Sequence, residues 1–268
     1  MDLIIKHIPP EYLSLKINYC RQQLAELPEV NLQVYTLHGV QTKVVIVGNH
    51  RYRVDSNNGR EYLGYYKKRK YYERQLQVFE SVWDGSYKGE PDPECMPMKV
   101  RRKLYIDTES PVVLDKKYFD SLKNDADTKY GKPRDYFFNG IFYRSYAEQE
   151  IAKYYTAMGI PFKYEPEVYL KGLTYPIYPD FVPYIEELDC CKFHEHFGIK
   201  QSASYLRTTG IKYANYTNAG LVPGIDILFT HDTADIPFDI RSFESQLNTA
   251  IYSTVLVPPP DDEDDEDE

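Results

Sequence analysis

The distribution of apolar and polar residues along the chain predicts five helices. In these stretches apolar side chains recur at three- or four-residue spacing, which is typical of a helix with one face packed against a core. Residues that end helices follow two of them, Pro28 after the first and Gly159 after the third. The predicted helices cover residues 12–27, 60–83, 144–159, about 201–216 and about 242–255.

Apolar or alternating runs between those helices predict strands. Residues 31–56 alternate or run apolar and are interrupted at Gly39 and Gly48, which predicts a small antiparallel meander. Further strands are predicted in IPFKYEPEVYL, at two places in YPDFVPYIEELDCCKFHEHFG, and in GIDILFT. From Tyr143 onward the elements follow the order α-β-β-β-α-β-α, so we predict an α/β (α+β) sandwich around a central mixed sheet.

Changes in composition divide the chain into four parts. A segment rich in Pro, Gly and acidic residues, 88–98, closes the helix-meander-helix region. We expect residues 1–98 to form a substrate-binding module and 99–142 a largely helical connector. The domain with the chemistry is expected at 143–257, followed by a disordered acidic tail at 258–268.

The composition is that of a globular protein, since 42% of the 268 residues are hydrophobic. No run of about 18 apolar residues is present, and the N-terminal segment is too interrupted for a signal peptide. We therefore expect a cytoplasmic protein without membrane association. The four cysteines fit that compartment, because Cys190 and Cys191 are adjacent and suit neither a CxxC metal site nor an easy disulfide.

The net charge of -9 comes from the end of the chain, where the last eight residues, DDEDDEDE, are all acidic. The remainder carries 32 basic against 33 acidic side chains and is close to neutral. The acidic balance therefore does not exclude a nucleic-acid partner. Three roles fit such a tail. It increases solubility, it competes with nucleic-acid phosphate for a basic groove on the same protein, or it binds a protein partner.

Three carboxylates fall at unusual places in the predicted domain. Asp180 and Glu195 lie in two neighbouring predicted strands, and Glu148 lies on the helix that opens the domain. Carboxylates gathered in this way repel one another and lose hydration, so a fold tolerates them when a divalent cation neutralises them. Mg²⁺ or Mn²⁺ suits such a site, because Mg²⁺ binds one or two carboxylates and completes its shell with water and phosphate oxygens.

Five short motifs, in the order RSYAEQEIA, YEPEVY, YPDF, HEHFG and GLVPGIDILFT, resemble those of the PD-(D/E)XK nuclease superfamily. More narrowly, they are similar to a branch of bacterial and phage proteins with an RSxxExxIA helix, a PDF strand and an EHxG strand. The resemblance covers about residues 143–257 and implies a restriction-endonuclease-like three-layer core. It also implies that Asp180 and Glu195 bind the metal, aided by Glu148 and the backbone carbonyl of His196.

The chain departs from that superfamily at one position. The lysine expected two residues after the second acid is Phe197. A nuclease still needs a group that orients water or offsets developing negative charge, and His196 and Lys212 are the candidates. We favour Lys212, because neighbouring residues on a strand face opposite sides and His196 is expected to point away from Glu195.

Each acid also has a structural interpretation. Ser145-x-x-Glu148 is a capping-box pattern, in which the glutamate satisfies the start of a helix. Asp180 follows Pro179 and fits a turn. The histidines on either side of Glu195 suggest zinc, although two histidines on one strand without further ligands are a weak zinc signature.

The second predicted helix carries a basic and aromatic cluster. Its tyrosines stack on bases and its cations contact phosphates if the helix binds nucleic acid. In the structural interpretation, the cations form a solvated face and the rings pack inward. The basic residues are Lys67, Lys68, Arg69, Lys70 and Arg74.

Together these observations predict a metal-dependent nuclease that hydrolyses phosphodiester bonds of DNA. The alternative is a catalytically inactive nuclease-fold protein that binds nucleic acid or regulates another protein, with an acidic interaction tail. The missing lysine at Phe197 and the near-neutral body favour that alternative.

Overall fold

The structure is a computed structural model that describes residues 8–256 except 38, 105–110, 128, 130, 199–202 and 233–237. The predicted acidic tail therefore lies outside the described residues. Within them, no helix has both the length and the apolarity needed to cross a lipid bilayer. The chain forms two compact units, one of Leu13–Pro97 and one of the described residues before and after that range.

The unit Leu13–Pro97 contains the two helices and the meander predicted for the N-terminal region. Strands β1 to β3 pair antiparallel in sequence order. The turns between them contain Gly39 and Gly48, whose φ angles of 79° and 55° favour glycine. The elements are α1 (Pro10–Glu26, whose first turn belongs to the other unit), β1 (Asn31–Leu37), β2 (Val40–Val47), β3 (His50–Arg53) and α2 (Asn57–Ser86).

Helix α2 begins in close contact with the end of β3. Ser56 caps the helix, because its hydroxyl accepts a hydrogen bond from the Gly59 amide at 3.1 Å and donates to the Arg53 carbonyl at 2.7 Å. A Cβ atom on Gly59 would lie 1.7 Å from the Arg53 oxygen, so this position requires glycine. Further along α2, Tyr72, Phe79 and Trp83 are buried.

The second unit contains the remaining elements. Its helices are α3 (Lys116–Ser121), α4 (Tyr146–Ala157), α5 (Ala203–Asn218) and α6 (Ile240–Leu256). Its short outer strands are β4 (Lys103–Leu104), β5 (Val112–Val113), β6 (Phe137–Phe138) and β7 (Ile141–Phe142). Its central strands are β8 (Phe162–Tyr164), β9 (Phe181–Ile185), β10 (Cys190–Cys191), β11 (Phe193–Phe197) and β12 (Ile227–His231).

The central sheet of this unit is mixed. Strand β9 pairs antiparallel with β8 on one edge and with β10 and β11 on the other. Strand β11 then pairs in parallel with β12, which α5 connects to it. The described elements confirm a mixed α/β protein and the predicted order of helices and strands from Tyr143 onward.

The prediction of a largely helical connector at 99–142 is wrong. Its described part holds the six-residue α3 and two small hairpins, β4–β5 and β6–β7. Leu104, Leu114 and Phe119 from this segment are buried in one apolar cluster with Val182 and Phe193 of the central sheet. The segment is therefore part of the core and not a connector.

An ion pair ties this segment to the loop before β12. The Arg102 guanidinium donates two hydrogen bonds to the Asp226 carboxylate, at 2.8 and 2.7 Å. Asp226 is buried and also accepts from the Val222 amide at 2.9 Å. Such bidentate pairs fix orientation as well as distance, so they hold the start of β12 in place.

Replacing Gly59 with alanine is expected to destabilise the unit Leu13–Pro97 by about 2–3 kcal/mol, because the added methyl group would overlap the Arg53 carbonyl. Gly64→Ala is the matched control, since Gly64 lies in the same helix with open space around it. It is expected to stabilise by about 0.5–1 kcal/mol. Urea unfolding of both variants checks the pair, and equal effects would contradict the close approach.

Candidate active site

The start of α4 holds the first of the three acids. Ser145 is the N-cap, and its hydroxyl oxygen accepts from the Glu148 amide at 3.2 Å. The carboxylate of Glu148 accepts from the Tyr164 hydroxyl at 2.6 Å and from the Arg144 amide at 3.0 Å. Glu148 is thus buried and forms hydrogen bonds at the start of the helix, as the capping-box pattern predicts.

Asp180 precedes β9 directly and is placed by the pairing of β9 with β11. Phe181 lies opposite His194 in this antiparallel pair. Continuing the register by one residue brings Asp180 opposite Glu195, and residues opposite each other in antiparallel strands project from the same face. One Asp180 oxygen, Oδ2, accepts from the His196 amide at 2.7 Å. Its Oδ1 has no hydrogen-bond donor among the described residues.

Glu195 lies in the middle of β11 and is 1% exposed. Two residues of α5 reach its carboxylate: the Lys212 ammonium donates to Oε2 at 2.6 Å, and the Tyr216 hydroxyl donates to Oε1 at 2.5 Å. Lys212 and Tyr216 are four residues apart and so lie on one face of the helix. The lysine favoured from the sequence therefore contacts the second predicted metal ligand.

The three acids are coupled electrostatically. Burial, followed by the negative charge of Asp180, raises the pKa of Glu148 to about 7. The same two causes raise the pKa of Glu195 to about 7. Burial disfavours the Lys212 ammonium, but the charges of Glu195 and Asp180 outweigh it and raise the pKa of Lys212 above its ordinary value. The structure thus brings four predicted site residues together.

The imidazole of His196 lies on the other face of β11. Its Nδ1 bonds to the Thr230 hydroxyl at 2.8 Å and its Nε2 to Asp232 at 3.1 Å. Thr230 also bonds to Nε2 of His194 at 2.8 Å, and Nδ1 of His194 bonds to the Tyr155 hydroxyl at 2.9 Å. His196 contacts the acid cluster through its backbone amide, which donates to Asp180, and not through its ring.

Residue 197, where the resemblance to the superfamily leads us to expect a lysine, belongs to the hydrophobic core. Phe197 is 5% exposed and stacks against Phe229 and His231, with ring centroids 5.9 and 5.1 Å apart. A lysine there would have to bury its ammonium among rings. In this chain a cation reaches Glu195 from α5 instead, through Lys212.

Glu165 supports Asp180 through the backbone. Its amide donates to the Asp180 carbonyl at 3.1 Å, and its φ of 41° is in the left-handed region that non-glycine residues rarely adopt. The buried Glu165 carboxylate forms ion pairs with Arg144 and with Lys132, the latter at 2.6 Å. Since such backbone strain persists only where surrounding contacts enforce it, these ion pairs help fix Asp180.

The sequence pattern did not identify the tyrosines that contact the acids. Tyr216 could have been found, because it follows Lys212 by one helical turn in a predicted helix. Tyr164 gives no local signal, since only the folding of β8 against α4 brings its hydroxyl to Glu148. Tyr205 is a further neighbour, whose pKa is raised by burial and then by Asp180.

The donors present fit a hard divalent cation. No group of three or more His, Cys, Asp or Glu side chains that could hold a metal ion occurs in the described part of the chain. Mg²⁺, however, needs only one or two carboxylates when water completes its shell. Among the described residues, Oδ1 of Asp180 accepts no hydrogen bond, and it lies beside Glu195. A cation there would offset the Asp180 charge, which after burial is the second cause of the raised pKa of both glutamates.

The basic cluster predicted to bind nucleic acid lies on α2, in the unit Leu13–Pro97. Lys67, Lys68 and Arg74 are exposed, and Lys70 is exposed but forms an ion pair with Glu73. Arg69 instead donates to the carbonyls of Leu24 and Leu27, at 2.9 and 2.8 Å, and so binds the end of α1. The cluster is therefore partly solvated and partly structural.

Comparison of the chain with protein-family models, with curated proteins and with solved structures found no match. The resemblance to PD-(D/E)XK nucleases therefore rests on the sequence motifs. Function has to be inferred from the chemistry of Glu148, Asp180, Glu195 and Lys212.

Replacing Asp180 with asparagine is expected to stabilise the metal-free protein at about pH 8 by roughly 1–2 kcal/mol. A carboxyl group whose pKa is raised on folding lowers stability as pH rises from its ordinary value to the raised one, here from 4.5 to about 7. Removing the Asp180 charge relieves the part of both shifts that this charge causes, while burial, the larger cause, remains. It also removes an attraction to Lys212 at both pH values, so the difference between the two pH values measures the repulsion. An amide oxygen still accepts from His196. At about pH 5 the glutamates are largely protonated, so the gain should be small.

Denaturant unfolding in a chelator at both pH values measures this difference. Asp120→Asn is the control, because Asp120 is exposed and forms an ion pair with Lys116 on α3. Its effect should stay within about 0.5 kcal/mol at either pH. Destabilisation by Asp180→Asn of the same size at both pH values would show that the predicted repulsion is absent.

Proposed function

We propose that the protein is a Mg²⁺-dependent nuclease that hydrolyses phosphodiester bonds of DNA, with a restriction-endonuclease-like core of the PD-(D/E)XK type. The observation that carries the proposal is the convergence at Asp180. Its charge acts on both Glu148 and Glu195, and Lys212 binds the latter. Buried titratable groups with shifted pKa values and specific charged partners are typical of catalytic sites.

The arrangement of the second unit supports the same proposal. One helix, three antiparallel strands, a second helix and a parallel strand follow in order through α4, β8, β9, β11, α5 and β12. The acids come from α4, the residue directly before β9 and the middle of β11. The motifs RSYAEQEIA and HEHFG cover the starts or middles of α4 and β11, and YPDF leads into β9.

In the proposed mechanism, Asp180 and Glu195 would hold Mg²⁺ or Mn²⁺, with Glu148 as an auxiliary ligand. When bound, such an ion activates water and offsets negative charge on the phosphodiester. Lys212 keeps an ammonium group next to Glu195, where it can position the attacking water or stabilise charge that develops during reaction. The His196 amide and the Tyr216 hydroxyl orient the two carboxylates.

The second candidate is a nuclease-fold protein without activity that binds nucleic acid. Phe197, buried against Phe229 and His231, favours it, because the superfamily's lysine is absent from that strand. The two candidates differ in whether the ammonium of Lys212 replaces that lysine in function.

Cleavage of plasmid, linear duplex and single-stranded DNA is expected with Mg²⁺ or Mn²⁺ and not with EDTA. Asp180→Asn should lower the rate by at least about 10²-fold, since it removes one of two metal-binding carboxylates. Asp120→Asn should cleave like the unaltered protein. Cleavage that survives EDTA or Asp180→Asn would overturn the proposal, and salt-dependent binding without cleavage would select the inactive alternative.

Lys212→Ala is expected to lower kcat by about 10²–10³-fold with a smaller change in KM, because its ammonium acts mainly in the transition state. Lys212→Arg should restore part of the rate, since it keeps the charge. His196→Ala should instead lower thermal stability and change kcat by less than about tenfold, because only its backbone amide contacts Asp180. Equal kcat losses for Lys212→Ala and His196→Ala would contradict these roles.

A further inference from the structure

The hairpin β6–β7 exposes two large aromatic side chains. Phe137 and Phe142 lie opposite each other in its register, with ring centroids 4.9 Å apart. They are 53% and 41% exposed. The two turn residues, Asn139 and Gly140, have φ angles of 49° and 85°, which fit the tight turn that keeps a two-residue hairpin loop rigid. The rings therefore form a preformed apolar patch.

The hairpin is fixed beside the first acid of the site. The Gln149 side chain donates to the Phe137 carbonyl at 3.0 Å, one residue after Glu148 on α4. On the other side, the Tyr143 amide donates to the Tyr136 carbonyl at 2.9 Å. Tyr143 is buried and packs on Tyr164, the tyrosine whose hydroxyl bonds to Glu148. The same short segment thus carries both the exposed rings and an acid of the site.

We propose that Phe137 and Phe142 form a stacking surface for unpaired nucleobases. The inference rests on the proposed function and names its substrate class: nucleic acid with a single-stranded stretch next to the bond that is cleaved. Aromatic rings stack on every base, so this surface needs no particular sequence.

A nucleobase fits this surface better than a protein does. A stable protein interface buries about 800 Å² and 20–30 residues on each side, whereas this patch consists of two rings on strands of two residues. The exposed residues before the hairpin carry both signs, in Arg134 and Asp135, and the Arg134 guanidinium can contact the phosphate of a strand whose base lies on the rings.

The test measures binding in EDTA, so that cleavage does not interfere. Fluorescence anisotropy gives the affinity for a labelled single strand of about 20 nucleotides and for a blunt duplex of the same sequence. The double variants replace Phe137 and Phe142 with two alanines, two leucines or two tyrosines. The leucine pair keeps apolar area on the hairpin and the tyrosine pair keeps the aromatic faces, so together they separate stacking from hydrophobic contact and from misfolding.

We expect the alanine and leucine pairs to bind the single strand about tenfold or more weakly. The tyrosine pair should stay within about twofold of the unaltered protein, and duplex affinity should change by less than that in all three. A leucine pair that binds as tightly as the unaltered protein would overturn the inference. So would an equal loss for single strand and duplex, or the absence of any binding to single strands.

Size-exclusion chromatography of the same variants tests whether a second copy of the chain, and not a nucleobase, covers the rings. If the unaltered protein is a dimer and the leucine or alanine pair is a monomer, the rings join two copies of the chain and the inference is wrong. Failure of this inference is distinguishable from failure of the proposed function. Asp180-dependent cleavage with unchanged single-strand binding rejects only the stacking surface, and ring-dependent binding without any cleavage rejects only the nuclease.

Discussion

Repulsion between Asp180 and the two glutamates, Glu148 and Glu195, is the interaction on which the site depends. The antiparallel register of β9 and β11 brings Asp180 opposite Glu195, and the burial of both glutamates reduces the screening of their charges by water. Donors around them compensate in part: the Lys212 ammonium and the Tyr216 hydroxyl bind Glu195, the Tyr164 hydroxyl binds Glu148, and the His196 amide binds Asp180. A divalent cation would offset the remainder, and this is the physical basis of the metal dependence that we propose.

The side chains of strand β11 alternate between two different environments, one on each face of the sheet. Glu195 points to α5 and the acid cluster, while His194 and His196 point to the opposite face and share the Thr230 hydroxyl. Both faces carry buried polar groups, and each is satisfied by partners from a different element. A strand with polar residues on both faces is costly to bury, so its sequence, FHEHF, is explained by the two networks and not by strand propensity.

Long segments with a clear period were predicted well, and short ones were not. Helices α1, α2, α4, α5 and α6 lie close to their predicted bounds, because each is long enough for a helical period to be recognised in its sequence. The segment 99–142 was misread, since strands of two residues have no period and its core residues, such as Leu104 and Phe119, are isolated in sequence. Lys212, which the sequence favours over His196 as the catalytic cation because alternation on a strand turns His196 away, contacts Glu195 in the structure.

The sequence by itself determined the order of helices and strands and singled out Glu148, Asp180, Glu195 and Lys212, because periodicity and local motifs are properties of neighbouring residues. Only the tertiary structure decided that these groups meet, that Tyr216 completes the shell of Glu195, and that Phe197 belongs to the core. Register and helix packing set those distances. Both depend on contacts between residues far apart in the chain, which no local pattern records.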